Sequence, residues 1–278
     1  MSFSEDGVTR HYAAYDVLPR ILEGLKTAAV DPEHLTPDQL KAVDEFHIGG
    51  AEATARLLDQ LGITAETRLL DIGSGIGGPA RSIASRYGCK VTGIDLTPAY
   101  VEAATHLTKL CGLSDKVRFE VASATALPFD AARFDIATML HVGMNIPDKA
   151  ALFSEAARVL KPGGAFAVYE VMKVGAGELV YPVPWAETAT LSALAEPDVY
   201  RNAAAAAGLK SLAETDRREV AITFFEQVQS AANSAAPAPL GLHLLMGPTV
   251  GEKVKNMVSA IKAGVIAPVE MIFTVPAD

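Results

Sequence analysis

From residue 68 to residue 171, apolar runs of strand length alternate with segments of helical period, and this alternation restricts the chain to few folds. Arg68–Ile72 reads as a strand, and in Pro79–Tyr87 the residues Ala80, Ile83, Ala84 and Tyr87 share one helical face. Pro79 suits a first helical turn and Gly88 an exit. Lys90–Asp95 is the second strand; Thr97 is placed to cap the next helix, Pro98 to begin it and Gly112 to end it. Val117–Val121, Phe134–Leu140 and Ala165–Val171 supply three further strands. Between the last two, a helix from about Asp148 to Leu160 is expected to stop at Lys161-Pro162-Gly163-Gly164. Strands joined through helices pair in parallel, with the crossover helices covering both faces of the sheet. The expected fold is α/β: a doubly wound, Rossmann-like, mostly parallel sheet of seven strands with helical lid insertions.

Three regions lie outside the alternation. Residues 1–46 carry an amphipathic face at Leu18, Ile21, Leu22 and Leu25. Residues 172–196 contain Tyr181-Pro182-Val183-Pro184-Trp185, too rich in proline for regular structure. Residues 217–262 hold two helical patterns around the Ala/Pro-rich stretch Ala231–Pro239, before a closing strand near Pro268–Val275. Ala203–Ala207 fits an ordinary helix ended by Gly208, and no internal repeat is found. Residues 1–278 are read as a single domain: an N-terminal helical lid (1–46), a cofactor-binding core (47–171), and acceptor-lid insertions with closing strands (172–278).

Half the residues are hydrophobic, but no run approaches the roughly 20 apolar residues of a membrane-spanning helix. The polar start MSFSEDGVTRHYAAYD lacks the apolar segment of a secretory signal. The two cysteines, Cys89 and Cys111, show no redox or metal spacing. A cytoplasmic location is expected. The net charge of -9 opposes encounter with a phosphate backbone, so nucleic acid is not expected as a partner. A small-molecule acceptor is expected, and a homodimer is compatible with the sequence.

The strongest local signal is Leu69-Leu70-Asp71-Ile72-Gly73-Ser74-Gly75-Ile76-Gly77-Gly78. Glycines 73, 75 and 78 meet the dinucleotide-binding pattern, with a strand before and a helix after. They permit a tight turn and let a ligand approach bare backbone at a helix N-terminus. The pattern alone does not separate NAD from S-adenosylmethionine. Asp71 does, because a buried carboxylate there would repel a pyrophosphate but suit the amino group of a methionine moiety. Asp95, 22 residues after Gly73, is placed to accept hydrogen bonds from ribose hydroxyls; capping a helix is its other reading.

With these residues the chain resembles the class I S-adenosylmethionine-dependent methyltransferases over residues 47–171. The resemblance is carried by DIGSGIGGPAR, GID at the second strand end, SATALPFDAARFD and RVLKPGG. Within that family it looks most like the glycine/sarcosine/dimethylglycine N-methyltransferases, and tocopherol- or quinone-type enzymes share the block ending Pro147-Asp148-Lys149. The resemblance implies S-adenosyl-L-methionine as cofactor. Gly73 and Gly75 would touch its methionine part, Asp95 its ribose, and Ser123, Ala124 and Thr125 would lie around its adenine, with Ser74 and Leu96 also in the cofactor-binding set. Relatives usually carry an Asp where Ser123 stands, accepting a hydrogen bond from the adenine amino group. Phe46-His47-Ile48-Gly49-Gly50 resembles the block that closes over the methionine end, which adds His47 to the cofactor-binding set.

The fourth strand leads into Leu140-His141-Val142-Gly143-Met144-Asn145, beyond the carboxyl end of the sheet where ligands bind. His141 and Asn145 are therefore the catalytic candidates. His141 is read as a general base or an orienting partner that also touches cofactor, the alternative being a histidine that packs beside it. Tyr181 and Trp185 are placed to hold a substituted ammonium acceptor by their ring faces, or else simply to pack the lid. His11, His34, His106 and His243 share no ligand spacing, so no metal site is expected, and His106 is read as surface. Methyl transfer from a sulfonium is an in-line displacement, and alignment alone can lower such a barrier by about 7–11 kcal/mol. The expected acceptor is the nitrogen of a small amine or amino acid. The alternatives are C-methylation of a quinone- or tocopherol-like ring under the apolar stretch Leu240–Met246, and a non-catalytic cofactor-binding protein. A nicotinamide dehydrogenase is disfavoured by Asp71 and RVLKPGG.

Overall fold

The computed structural model describes residues 5–12, 16–232 and 238–277. Its seven strands are β1 (Arg68–Ile72), β2 (Lys90–Asp95), β3 (Val117–Val121), β4 (Phe134–Leu140), β5 (Leu160–Lys173), β6 (Lys210–Asp216) and β7 (Ile266–Thr274). They form one sheet in the order β3-β2-β1-β4-β5-β7-β6. The pairs β1–β2, β2–β3, β1–β4 and β4–β5 are parallel, whereas β7 runs antiparallel to both β5 and β6. After β1 the chain winds outward to β3 on one side, then returns to lay β4 on the other. That reversal leaves a crevice at the carboxyl ends of β1 and β4, where open α/β sheets bind ligands.

The helices are α1 (Glu5–Tyr12), α2 (Val17–Thr27), α3 (Pro37–Asp44), α4 (Gly50–Leu58), α5 (Gly78–Tyr87), α6 (Pro98–Leu110), α7 (Lys149–Val159), α8 (Pro197–Ala206), α9 (Arg218–Ala232), α10 (His243–Met246) and α11 (Val250–Lys262). Side-chain alternation in β1 separates the two layers. Leu70 and Ile72 pack with Leu152 and Phe153 of α7 and Tyr200 of α8, while Leu69 packs with Leu58 of α4 and Ile83 of α5. The expected amphipathic face forms in α2, where Ile21 and Leu25 bury against Leu40 and Leu107, and against Leu240, Leu244 and Leu245 from the far end of the chain. Residues 179–194 pack with α9 and α11 around Trp185, Met257 and Ile261. Among the described residues, no helix is long and apolar enough to cross a membrane.

The structure differs from the sequence expectations at four places. Lys161-Pro162-Gly163-Gly164 ends α7 but also belongs to β5, which begins at Leu160 with a register shift against β4; Gly163 turns the backbone at φ +77°. Strand β6 has no counterpart in the sequence pattern, because a sheet edge with only Leu212 and Ala213 as apolar residues shows too little alternation. Thr97 makes no side-chain cap to α6; Asp95 Oδ1 takes the Thr97 N–H instead, at 2.8 Å. In the stretch Ala231–Pro239, α9 runs on to Ala232, and 233–237 lie outside the described residues.

Candidate active site

The turn after β1 is built for close approach. At Gly73 (φ +72°) a side chain would collide with Val142 beyond β4, so the ends of β1 and β4 nearly touch. Gly75 (φ +54°) faces open space, leaving bare backbone toward the crevice. Gly78 begins α5 where a Cβ would lie 2.5 Å from the Asp44 carbonyl oxygen. Arg81, one turn on and fully buried, donates to Asp44 Oδ1 at 2.6 Å and to Thr108 and the Ala104 carbonyl. This buried pair ties α3 to α5 and so fixes the segment that carries Glu45, Phe46 and His47.

Asp71 is 2% exposed, and its Oδ1 accepts from Thr138 Oγ1 at 2.9 Å. Its other oxygen, Oδ2, is buried without a partner, as is Ser74 Oγ. Burial, with a smaller contribution from the Asp95 charge, pushes the Asp71 carboxyl up to about 7. An unsatisfied buried carboxylate oxygen beside bare glycine backbone calls for a cationic donor. Asp95 accepts from Gly75 N at 2.9 Å as well as from Thr97 N, so one carboxylate joins the glycine turn to the end of β2. Burial raises its pKa too.

His141 follows β4 in the left-handed region (φ +55°), rare for a residue with a side chain. Its backbone N–H and its Nδ1 both donate to the Tyr169 carbonyl, at 2.8 and 3.1 Å. The proton therefore sits on Nδ1, and Nε2 accepts a long 3.4 Å bond from Ile48 N–H. Burial, aided by His47, lowers its pKa to about 3. His47 donates from Nε2 to the Gly50 carbonyl at 3.1 Å, with Thr54 Oγ1 at 2.9 Å and Glu45 Oε2 at 3.4 Å, and burial lowers its pKa to about 4. Both imidazoles are neutral near pH 7. Two carboxyls absent from the sequence reading frame them. Glu45 is pushed up to about 7 by burial and the nearby Asp44, and Glu170, raised to about 7 by burial, accepts Val142 N–H at 2.8 Å.

His47, Asp71, Gly73, Ser74, Gly75, Asp95, Leu96, Ser123, Ala124, His141 and Asn145 line a single crevice of about 1010 Å³, counted with its open mouth. Thr125 stands behind it, joined to Ser123 Oγ at 2.9 Å. Val8, Tyr12, Phe46 and Tyr100 complete the wall. Of these, Phe46 belongs to the Phe46–Gly50 block read from the sequence, whereas Val8, Tyr12 and Tyr100 carry no motif. Asn145, expected to orient an acceptor, has its amide engaged by the protein: Nδ2 donates to the Trp185 and Leu191 carbonyls, and Oδ1 accepts from Tyr12.

Beyond His47 and His141 lies a second chamber of about 570 Å³, lined by Tyr12, Phe46, Met144, Trp185, Phe224, Phe225, Met246 and Met257. Trp185 is 2% exposed, and its Nε1 donates to Ser192 Oγ at 3.0 Å, so part of the ring packs the wall. Tyr181 is half-buried in the same apolar cluster and lines neither space. Among the described residues, no cluster of His, Cys, Asp or Glu is arranged to hold a metal ion, and His106 is exposed.

A methyltransferase-domain family profile matches residues 70–168, the span from β1 to the middle of β5. The methyltransferase GfsG of Streptomyces halstedii is 29% identical over 76% of this chain and 73% of its own length. The sterol 24-C-methyltransferase of Eremothecium gossypii is 35% identical over 46% of this chain, a match that spans 34% of that enzyme. Among solved structures, the geranyl diphosphate C-methyltransferase of Streptomyces coelicolor, in complex with S-adenosyl-L-homocysteine, superposes with a TM-score of 0.66 at 20% identity, covering 80% of this chain and 79% of that one. The glycine turn, the orphaned oxygen of Asp71, Asp95 at the end of β2 and these matches converge on a methyltransferase domain of the S-adenosylmethionine-dependent type over residues 70–168.

Proposed function

We propose that the protein methylates a predominantly apolar small molecule held in the chamber beyond His47 and His141. The observation that carries this reading is the chamber's lining of three methionines and five aromatic rings, continuous through Tyr12, Phe46, His47 and His141 with the cofactor crevice. Its ionisable members are Glu45, Tyr12 and the two neutral histidines. An acceptor that is mostly hydrocarbon gains from such a wall, whereas a molecule the size of glycine would leave most of it unfilled. The sterol named for one relative is mostly hydrocarbon, and the geranyl diphosphate named for a similar structure joins an apolar chain to a charged diphosphate. Nitrogen methylation of a small amine ranks second: the rings of Trp185 and Phe225 suit a cation, but the chamber offers no carboxylate held clearly ionised.

S-adenosylmethionine, when bound, supplies a methyl group already activated on a sulfonium. Asp71 and the Gly73–Gly75 backbone would hold its methionine end, and Asp95 its ribose. His141, fixed by two bonds to one carbonyl, would orient the acceptor at the junction of the two spaces, and the aromatic wall would exclude water. The test is transfer of labelled methyl to two panels: apolar phenols, sterols and prenyl compounds, and small amines such as glycine and sarcosine. Label should enter the first panel. Narrowing the chamber with Val254→Phe should abolish transfer to the bulkiest acceptors while leaving S-adenosylhomocysteine binding intact. Uptake confined to the amines would reverse the ranking.

A further inference from the structure

We propose that Glu5, on the first helix, is the carboxylate that reads the adenine amino group of the cofactor. The inference rests on S-adenosylmethionine occupying the crevice. Ser123 lines the end of that crevice beyond Asp95, between Ala122 and Ala124. Its hydroxyl is saturated by the protein itself. The single proton goes to Glu5 Oε1 at 2.7 Å, and the two lone pairs face the Thr125 hydroxyl at 2.9 Å and the Thr125 N–H at 3.3 Å. An amino group arriving here finds no acceptor left on Ser123.

The acids that line the crevice are committed elsewhere, Asp71 keeping its one open oxygen at the glycine turn. Asp44 is paired with Arg81, Asp71 lies at the glycine turn, and Asp95 holds the N–H groups of Gly75 and Thr97. The Glu5 carboxylate, by contrast, is fixed at Oε1 on Ser123, a residue of the crevice wall, while its Oε2 has no partner among the described residues.

The helix that carries it is held there independently. Val8 is buried and lines the crevice, and Tyr12, one turn further, lines it too and donates to Asn145 at 2.9 Å. Ser123 therefore works as a relay post that fixes an acceptor brought by another element. The group that reads the base and part of the wall that covers the crevice are thus carried on one helix.

The experiment compares S-adenosylhomocysteine with S-inosylhomocysteine, in which a carbonyl replaces the amino group, by calorimetric titration of the full chain. The wild-type protein should prefer the adenosyl ligand by roughly 10- to 100-fold, the range of one hydrogen bond to a charged acceptor. Glu5→Ala should lose most of that preference, and Ser123→Asp added to Glu5→Ala should restore it by placing a carboxylate on the crevice wall. Glu5 is exposed, and thermal melting of each variant verifies that the fold is kept. A preference unchanged in Glu5→Ala overturns the proposal, as does a wild-type protein that binds both ligands equally. Failure of the wild-type protein to bind either ligand is a different result, since it removes the cofactor assignment itself and the proposal with it.

Discussion

Tyr12 Oη donates to Asn145 Oδ1 at 2.9 Å, joining the first helix to the turn after β4 across 133 residues of chain. Asn145 passes the link on through Nδ2 to the Trp185 carbonyl at 2.9 Å. One side-chain amide thereby connects the helix over the cofactor crevice with the loop that roofs the acceptor chamber. Tyr12→Phe leaves Asn145 Oδ1 without its donor, at a cost of about 1–3 kcal/mol. Urea unfolding should register that loss, and the Kd for S-adenosylhomocysteine should rise as α1 loosens. Unchanged values for both would mean that the bond does not hold the helix.

Cofactor affinity should depend on pH through Asp71. Its folded-state pKa is raised to about 7, so below that pH the empty site is mostly neutral. An ammonium needs the carboxylate, and binding must then expel a proton. The Kd for S-adenosylhomocysteine should therefore increase by up to about tenfold per pH unit below 7 and be flat above it. Asp71→Asn should bind weakly at every pH, without the slope.

Stability should carry opposing contributions from the histidines and the carboxyls. His47 and His141 have folded pKa values lowered to about 4 and about 3, so their stabilising contribution is full above the unfolded value near 6.5 and is lost as pH falls toward 4. Asp71, Glu45 and Glu170 are raised to about 7 and contribute the other way, favouring the folded state as pH falls from 7 toward 4. Replacing one histidine unmasks the carboxyls. The change in unfolding free energy between pH 7 and pH 5 should be more favourable in His141→Gln than in the wild type by about 2 kcal/mol. Equal changes in the two proteins would show that His141 is not held neutral.

The Arg81–Asp44 pair is a structural keystone. Arg81 is 0% exposed, and the Asp44 side chain 3%. Asp44→Ala should cost about 3–5 kcal/mol, because an uncompensated guanidinium is left inside. Asp44→Leu combined with Arg81→Met should recover most of that loss in the same denaturant titration. A cost below about 1 kcal/mol for the single change would place the guanidinium in contact with water.

Much of this was legible in the sequence because it lies in local pattern. The five parallel strands and the turn from Asp71 to Gly78 follow from alternation, glycine placement and a buried acid, all within one short window. The site's other half comes from long-range packing. Tyr12, Phe46, Trp185 and Met246 meet around one chamber although they are scattered from the first helix to α10, and no spacing rule joins them. Asn145 drew notice for its position after β4, but its partners on α1 and in the 185–191 loop lie at separations of 133, 40 and 46 residues. Ser123 stood out as a departure from the family pattern. Only the fold shows that a carboxylate from residue 5 stands beside it.

The most direct test of the central claim is calorimetric titration of the purified protein with S-adenosylhomocysteine and with NAD, repeated on Asp71→Ala. Tight binding of the adenosyl ligand to the wild type, much weaker binding to Asp71→Ala and none of NAD to either is the expected result. Binding of NAD in preference, or adenosyl binding indifferent to Asp71, would contradict the assignment of the crevice.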